Sequence, residues 1–338
     1  MNKRLKVGMV GVGGFGGHRR GLMRETGLFE LVAAYDHNPD ALAAAQREDG
    51  AQPVASYEAL LATPGIEAVI ISTGAKFHAE QSLAAMDRGL HVFVEKPLCA
   101  TPQEVEALLA AQKRSRVVVG LGHTDHGNEA RSRTIKKLLN EGKLGSIAAV
   151  EVTTAHSGGL EIKPGDWRGD PDKNPGGMLF QCGVHKLHEL MYYFGPIVEV
   201  FAWMRYEVHT TKTADTAQCL LRFASGLTAT LNAYHVTPYR HTVSIFGTAK
   251  NLYWEMGAYG DPDLLVTQER GNCTREPRLP VVLEGEGDAG GSLRSFYRAV
   301  REGGEPYPSL RDGARAVAVV FAAEESAKTG RPVQVLPM

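Results

Sequence analysis

Cysteine is scarce in this sequence, and neither sign of charge is in excess. The four cysteines stand far apart, at Cys99, Cys182, Cys219 and Cys273. That scatter favours reduced thiols in a cytoplasm, because a disulfide framework or a zinc site needs cysteines in paired spacings. Lysine and arginine together number 37 against 38 aspartates and glutamates, without a polybasic run. We therefore expect a small-molecule ligand, and neither a nucleic-acid partner nor binding to a membrane surface.

Long hydrophobic runs, repeats and low-complexity linkers are also missing. The first apolar stretch is short and soon reaches glycines, so it predicts a strand rather than a signal peptide or a membrane span. Hydrophobic residues make up 43% of the chain and charged residues 22%, which is typical of a soluble globular protein. At 338 residues the chain is longer than one ordinary core requires, and two domains are expected.

Up to about residue 122, short apolar runs alternate with amphipathic segments. Buried strands are predicted at 5–10, 31–35, 68–72, 91–94 and 117–120, and helices at 15–25, 39–48, 77–88 and 102–113. This alternation is typical of a parallel, doubly wound sheet in the α/β class. We expect an N-terminal Rossmann domain over residues 1–122.

Beyond residue 122 the helical segments thin out and strand-like runs follow one another. These runs lie at 197–206, 216–223, 227–234, 242–246 and 252–255. They predict a large, mostly antiparallel, open-faced sheet, so residues 123–338 are expected to form an α+β domain for substrate binding and oligomerisation. A last helix is predicted at 311–329, either within this domain or packed back on the first.

A glycine-rich turn follows the first predicted strand and precedes a helix. Its residues are Gly11, Gly13, Gly14, Phe15 and Gly16. Glycine permits the tight turn and lets a pyrophosphate approach the backbone closely. Asp36 closes the second strand at the distance where a carboxylate reaches the adenine ribose of a dinucleotide. Asp36 would repel a 2′-phosphate, which favours NAD over NADP, although His37 beside it softens the repulsion.

A second motif places a lysine between an acid and a proline at the end of a strand. It reads His91-Val-Phe-Val-Glu95-Lys96-Pro97. Open α/β sheets bind their ligands at the carboxyl ends of their strands, so a cation here predicts chemistry. The competing interpretation is a strand end with a surface salt bridge.

A third segment carries polar residues at helical spacing. If residues 176–192 form a helix, Gln181, His185, His188 and Tyr192 share one face of it. Burying such polar side chains on an otherwise apolar helix is costly unless they form hydrogen bonds. The pattern therefore predicts that this face borders a cavity or a binding partner. A lone histidine would more often be a satisfied core residue.

Together these motifs resemble the Gfo/Idh/MocA oxidoreductases, the group related to glucose-fructose oxidoreductase and inositol dehydrogenases, over essentially the whole chain. The matching stretches are 10–16 with His18, Ser72-Thr73 with His78, Glu95-Lys96-Pro97, Trp167-Arg168, Gly176-Gly177 leading to Gly183-Val-His185, 296–303, 312–313 and 326–333.

The resemblance implies a cofactor site around the lysine motif. Lys96 would lie beside the nicotinamide and the reacting carbon, after a cis Lys96–Pro97 peptide bond. The further cofactor-binding candidates are Ser72, Thr73, His78 and Glu95. Where the family usually has Thr-Pro, this chain has Thr73-Gly74, a departure that loosens the turn.

The resemblance also points to residues that contact the substrate. These candidates are Gln181, His123, Asp125, Trp167, Arg168 and His188. His123 and Asp125 would stand at the entrance between the domains. Trp167 and Arg168 would wall the nicotinamide or hold an anionic substrate group, unless they are an ordinary aromatic and cation on a loop.

The family commonly carries aspartates four residues before and three residues after its histidine. Here these positions hold Gln181 and His188, so His185 should be a weaker base than in the aspartate form. Gln181 can still donate and accept hydrogen bonds to substrate hydroxyls. A zinc site built from His123, His126, His185 and His188 can be imagined, but no metalloenzyme signature such as H-E-x-x-H is present and we expect no metal.

The motifs support one main functional hypothesis and two alternatives. The main one is a cytoplasmic NAD-dependent dehydrogenase that oxidises a secondary hydroxyl of a sugar, cyclitol or sugar derivative, or runs the reverse reduction. Lys96 would polarise the oxygen and His185 would act as acid and base. The alternatives are glycoside cleavage through transient oxidation, and a NAD-binding regulator without catalysis. A homodimer or homotetramer through the second domain's sheet is expected.

Overall fold

The computed structural model describes residues 3–208, 211–257 and 261–336, which divide into two compact units. The first comprises the chain up to Asp125 together with Asp288–Ala314, and the second comprises His126–Gly287 and the chain from Arg315 onward. The sequence interpretation instead divided the chain once, at residue 122. The four cysteines are free thiols.

The first unit is built on a six-stranded parallel sheet, as the alternating pattern predicts. Its strands are β1 (Leu5–Val10), β2 (Phe29–Tyr35), β3 (Gln52–Pro53), β4 (Ala68–Ile71), β5 (His91–Val94) and β6 (Val119–Leu121), in the spatial order β3-β2-β1-β4-β5-β6. The intervening helices are α1 (Phe15–Thr26), α2 (Pro39–Asp49), α3 (Tyr57–Leu61), α4 (Ala75–Asp87) and α5 (Pro102–Ser115). Strand order reverses beside β1, and open sheets of this kind bind ligands at such a point.

Local sequence explains the regular elements of this unit. Every residue of β4 is buried, which is why the strand reads as an uninterrupted apolar run. Helix α5 begins at a capping box, in which the Thr101 side chain accepts from the Glu104 backbone N–H and the Glu104 carboxylate accepts from that of Thr101. Such caps satisfy backbone donors that a helix end leaves without partners.

The second unit is built on a nine-stranded mixed sheet. Its strands are β7 (Ile147–Ala155), β8 (Ile197–Arg205), β9 (Thr216–Phe223), β10 (Thr228–Tyr234), β11 (Arg240–Gly247), β12 (Lys250–Glu255), β13 (Leu264–Glu269), β14 (Arg278–Pro280) and β15 (Val333–Gln334). Only the β7–β10 pair is parallel among these described strands, so the predicted, mostly antiparallel sheet is confirmed. Along β9 burial alternates residue by residue, so one face of the strand is covered while the other is exposed.

Four further α-helices lie in the described chain. They are α6 (Ala130–Asn140), α7 (Val184–Phe194), α8 (Gly291–Glu302) and α9 (Leu310–Thr329). Helix α8 belongs to the first unit because Phe296 packs edge-on against Phe93 of β5, with ring centroids 5.6 Å apart. Helix α9 begins in the first unit and continues in the second. Among the described residues, we find no helix with the length and apolar character that crossing a bilayer demands.

Candidate active site

The glycine-rich turn between β1 and α1 adopts a backbone that only glycine fits well. Gly11 has a φ of +78°, and a Cβ added there would lie 2.6 Å from the Ser72 carbonyl oxygen. A Cβ at Gly16 would overlap the carbonyl oxygen of Gly11. The turn therefore brings bare backbone to the ends of β1 and β4, at the start of helix α1.

The carboxylate of Asp36 is tied to this turn. Its Oδ2 accepts hydrogen bonds from the backbone N–H groups of Val12 at 2.8 Å and Gly13 at 3.2 Å. Its Oδ1 accepts from the Asn38 N–H at 2.9 Å and lies 3.2 Å from Nδ1 of the exposed His37 ring. Asp36 thus fixes the glycine-rich turn in addition to placing a negative charge beside it.

A cavity of about 660 Å³ opens at the mouth of the turn. It collects seven of the sequence-predicted cofactor residues, namely Gly11, Gly13, Gly14, Asp36, His37, Ser72 and Thr73. Asn38, Phe77 and Gln81 also line it, and sequence reasoning missed all three. Phe77 is 41% exposed, which is typical of an aromatic side chain that faces a ligand. Bare backbone, a carboxylate and an aromatic wall together fit the adenosine and pyrophosphate of a dinucleotide.

His78 lies beneath this cavity instead of lining it. Its ring nitrogens lie 2.7 Å from the Pro97 carbonyl oxygen and 2.9 Å from that of Thr73. Burial lowers the pKa of His78, so the neutral ring donates to one carbonyl at a time. His78 therefore lies between the end of β4 and the segment after Lys96, with one ring nitrogen facing each.

The residues on either side of Lys96 are held firmly in the first unit. The Lys96–Pro97 peptide bond is cis, as the resemblance implies. Glu95 Oε1 accepts from Arg19 Nε of helix α1 at 2.6 Å, and both side chains are 5% exposed. Glu95 therefore forms a buried ion pair, while the half-buried Lys96 stands at the carboxyl end of β5.

The polar stripe of the second unit lies on two kinds of helix. Residues Leu179–Gly183 form a π-helical turn, and α7 follows without a break. Gln181 therefore lies in a widened turn, and the four residues from Gln181 to His185 do not make a regular α-helical step. His185 is partly exposed, whereas His188 is buried with its ring centroid 5.0 Å from that of His126.

A buried charge network surrounds Glu189, one helical turn after His185 on α7. Glu189 accepts from Arg131 at 2.8 Å, from Lys186 at 2.8 Å and from the Tyr193 hydroxyl at 3.2 Å. Burial alone would raise the pKa of Glu189, but the Lys186 and Arg131 charges hold it well below its usual range. Both cations also lie over the Trp254 ring, at 4.0 and 4.1 Å from its centroid.

The remaining candidates are divided between the units. His123 and Asp125 are buried at the end of the first unit's main segment. Trp167, 39% exposed, and Arg168 lie in a short 3₁₀ turn of the second unit, capped by the Asp166 carboxylate. Within the described chain, no group of three or more histidine, cysteine, aspartate or glutamate side chains is arranged to hold a metal ion.

Comparison with known proteins follows the two units. A family model described as an oxidoreductase family with an NAD-binding Rossmann fold matches residues 5–123. A second, described as the GFO/IDH/MocA C-terminal domain, matches residues 132–253.

Named relatives match over almost the full chain. A 1,5-anhydro-D-fructose reductase of Ensifer adhaerens is 28% identical over 93% of both chains. A myo-inositol 2-dehydrogenase of Thermotoga maritima is 25% identical over 98% of both chains. Levoglucosan dehydrogenase in complex with NADH superposes with a TM-score of 0.87 at 22% identity, covering 99% of this chain and 100% of that one.

Proposed function

Because the chain belongs to the Gfo/Idh/MocA family of NAD-binding oxidoreductases, we propose that it transfers hydride between NAD and a secondary hydroxyl of a sugar, cyclitol or sugar derivative. The observation that carries this proposal is the placement of Lys96. It stands at the carboxyl end of β5, between an ion-paired Glu95 and a Pro97 whose carbonyl His78 contacts, in the unit that holds the dinucleotide cavity. The relatives named as an inositol dehydrogenase and an anhydrofructose reductase support a polyol-type substrate.

The cofactor site fits NAD, which supplies the nicotinamide carbon that accepts the hydride. Lys96 donates a hydrogen bond to the oxygen of the reacting substrate hydroxyl. Negative charge develops on this oxygen as the hydride leaves the carbon that bears it. His185 takes the hydroxyl proton, since an imidazole with an unperturbed pKa of about 6.5 is suited to this transfer. With bound NAD as the two-electron oxidant, the substrate would leave as a ketone, and the hydroxyl proton would remain on His185. In the reductive direction the same two residues polarise the ketone and return the proton.

Gln181 changes the acid and base balance of this mechanism. A glutamine amide bears no charge, so it stabilises the imidazolium of His185 less than a carboxylate would. We assign Gln181 to substrate binding, together with Trp167 and Arg168. His185 then works as a base without a carboxylate at the position four residues before it.

Substitution of each of the two proposed catalytic residues tests the proposal. Lys96→Ala and His185→Ala should each abolish NADH formation on a panel of polyols, while NAD affinity stays within about threefold of the wild type. Lys143→Ala, at an exposed lysine of the second unit, is the matched control and should leave turnover unchanged. Normal polyol oxidation by both active-site variants would refute the mechanism. Release of an aglycone without accumulating NADH would instead favour redox-assisted glycoside cleavage.

We further propose a cytoplasmic homodimer or homotetramer that uses the exposed face of the nine-stranded sheet. Trp203 of β8 is 66% exposed and Leu220 of β9 is 51% exposed on adjacent strands. Exposed apolar side chains of this size on one sheet face are usually covered by another subunit. The free thiols support a reducing compartment.

A further inference from the structure

His126 lies at the start of the second unit, against the helix that carries His185. Its ring centroid is 5.0 Å from that of His188 and 5.5 Å from that of Tyr192, both on α7. The ring planes are inclined by 35° and 32°, so the His126 ring is tilted against both neighbours. His185 is three residues before His188, one helical turn away on the same face. His126 therefore covers the face of α7 that bears the proposed base.

The hydrogen bonds around His126 determine its tautomer. Nδ1 lies 2.9 Å from the hydroxyl oxygen of Ser132, and that hydroxyl donates its single proton to the carboxylate of Glu129. The hydroxyl must therefore accept from His126, which places the ring proton on Nδ1.

Glu129 is ionised at neutral pH and keeps this chain of bonds in one direction. Burial opposes ionisation, but the hydrogen bond from His126 and the charge of Arg131 lower the pKa of Glu129 to about 2. Arg131 donates to both carboxylate oxygens at 3.0 and 3.1 Å. A neutral His126 ring consequently carries a lone pair on Nε2.

This lone pair lacks a partner among the described residues. The His126 side chain is buried, with the residue 3% exposed, and Nε2 receives no hydrogen bond from the described protein. An unsatisfied buried polar atom is costly, and each one in a native structure calls for an explanation. Because Nδ1 faces Ser132, the in-plane lone pair on Nε2 points to the other side of the imidazole ring, away from Ser132.

We propose that His126 Nε2 accepts a hydrogen bond from a second hydroxyl of the substrate, one that does not react. This inference rests on the proposed function and makes His126 a specificity-determining residue for polyhydroxylated rings. Glu129 and Ser132 are positioning residues, because they hold the ring in the tautomer that accepts. A site that can only accept a hydrogen bond binds an analogue without the donating hydroxyl more weakly, because its buried acceptor is then left unpaired.

Two variants of His126 separate recognition from packing. His126→Phe keeps an aromatic ring against His188 and Tyr192 but removes the acceptor. His126→Gln places an amide near the position of Nε2 and restores one. Both are compared with the wild type in the full-length protein loaded with NADH, after thermal unfolding has shown that each variant folds.

The measurement is equilibrium binding of myo-inositol, D-glucose and their monodeoxy derivatives. In the wild type, loss of one particular hydroxyl should weaken binding about tenfold, the scale of one hydrogen bond. His126→Phe should bind the parent and that deoxy analogue equally, and His126→Gln should recover part of the difference.

Equal weakening of all probes by His126→Phe would overturn the inference, since it would show a packing role only. Retained discrimination in His126→Phe would overturn it as well, because a group other than Nε2 would then recognise that hydroxyl. Failure of every probe to bind the wild type would also count against it. Absence of NADH formation by the wild type, with binding discrimination intact, would count against the proposed function alone.

Discussion

Asp36 shows how one side chain serves both structure and selection. Its Oδ2 accepts from two N–H groups of the glycine-rich turn, and the carboxylate lines the dinucleotide cavity. The motif spacing predicted the location of this acid but not its bonds to the turn, because those depend on how Val12 and Gly13 are oriented in three dimensions. We expect the same carboxylate to repel a 2′-phosphate and thereby to favour NAD over NADP.

Substitution of Asp36 should therefore change both affinity and preference. In Asp36→Ala, NAD should bind about tenfold more weakly, because the carboxylate that reaches the ribose is gone; this loss corresponds to about 1.4 kcal/mol. The preference for NAD over NADP should narrow by at least about tenfold, because the charge that repels a 2′-phosphate is removed as well. Fluorescence titration with NADH and NADPH measures both affinities. Asp40→Ala, at an exposed acid of α2, should alter neither. If the ratio of NADH affinity to NADPH affinity were the same in Asp36→Ala and in the wild type, Asp36 would not select the cofactor.

The Arg19–Glu95 pair is a second residue-scale feature, and it lies beside Lys96. Arg19→Met leaves a buried carboxylate uncompensated and should lower the free energy of unfolding by about 3–5 kcal/mol. The double variant Arg19→Met with Glu95→Gln should recover much of that loss, because no buried charge remains. Arg222→Ala, which breaks a surface pair with Glu199, should cost at most about 1 kcal/mol. Chemical denaturation measures all of them, and equal effects of Arg19→Met and Arg222→Ala would contradict the account.

At the scale of elements, α7 carries both the buried charge network and His185. Glu189 joins it to Arg131 of α6, while Lys186, next to His185, completes the network. Helical periodicity predicted the existence of α7. It could not reveal the π-helical turn at Leu179–Gly183, since one wider turn leaves no repeating signal. The short β3 and α3 were missed for a related reason, as two and five residues are too few to show a period.

The network predicts a dependence of stability on pH. The folded-state pKa values of Glu129 and Glu189 lie below the ordinary value of 4.5, so their ionised forms stabilise the fold above that pH. The stabilisation is lost as the pH falls from 4.5 towards 2, where these groups take up protons. Glu189→Gln should lower the free energy of unfolding by about 3–5 kcal/mol at pH 7, and its deficit should shrink below pH 4.5.

Urea denaturation at pH 7, 4.5 and 3 measures this difference. Glu141→Gln, at the exposed end of α6, is the matched control and should follow the wild type at every pH. A Glu189→Gln deficit that stayed constant down to pH 3 would show that ionisation of Glu189 does not stabilise the fold.

At the scale of the whole molecule, the change from alternating to consecutive strands predicted two domains and their fold classes. The same pattern could not reveal that Asp288–Ala314 belongs to the first unit. The contact of Phe296 with Phe93 joins positions about 200 residues apart, and a single sequence carries no signal for such a pairing. The exposed sheet face was predicted from alternation along the strands, which is a local property.

That face makes the oligomeric state testable. Light scattering of the wild type should give two or four times the chain mass of 36.6 kDa. Trp203→Arg combined with Leu220→Glu should reduce the measured mass to that of a single chain, because charged side chains replace the apolar ones on the exposed face. Val282→Glu, at a residue 88% exposed, should leave the mass unchanged. A monomeric wild type, or an unaltered mass in the double variant, would contradict this use of the sheet.

The most direct test of the proposed chemistry follows the hydrogen itself. Wild-type enzyme is mixed with NAD and a polyol, such as myo-inositol, that carries deuterium on its secondary carbons, and the NADH is analysed by nuclear magnetic resonance. Each NADH formed should carry one deuterium at the nicotinamide C4, and Lys96→Ala should transfer none. Tight NAD binding without label at C4, across a panel of deuterated polyols and sugars, would show that the enzyme does not transfer hydride from these substrates.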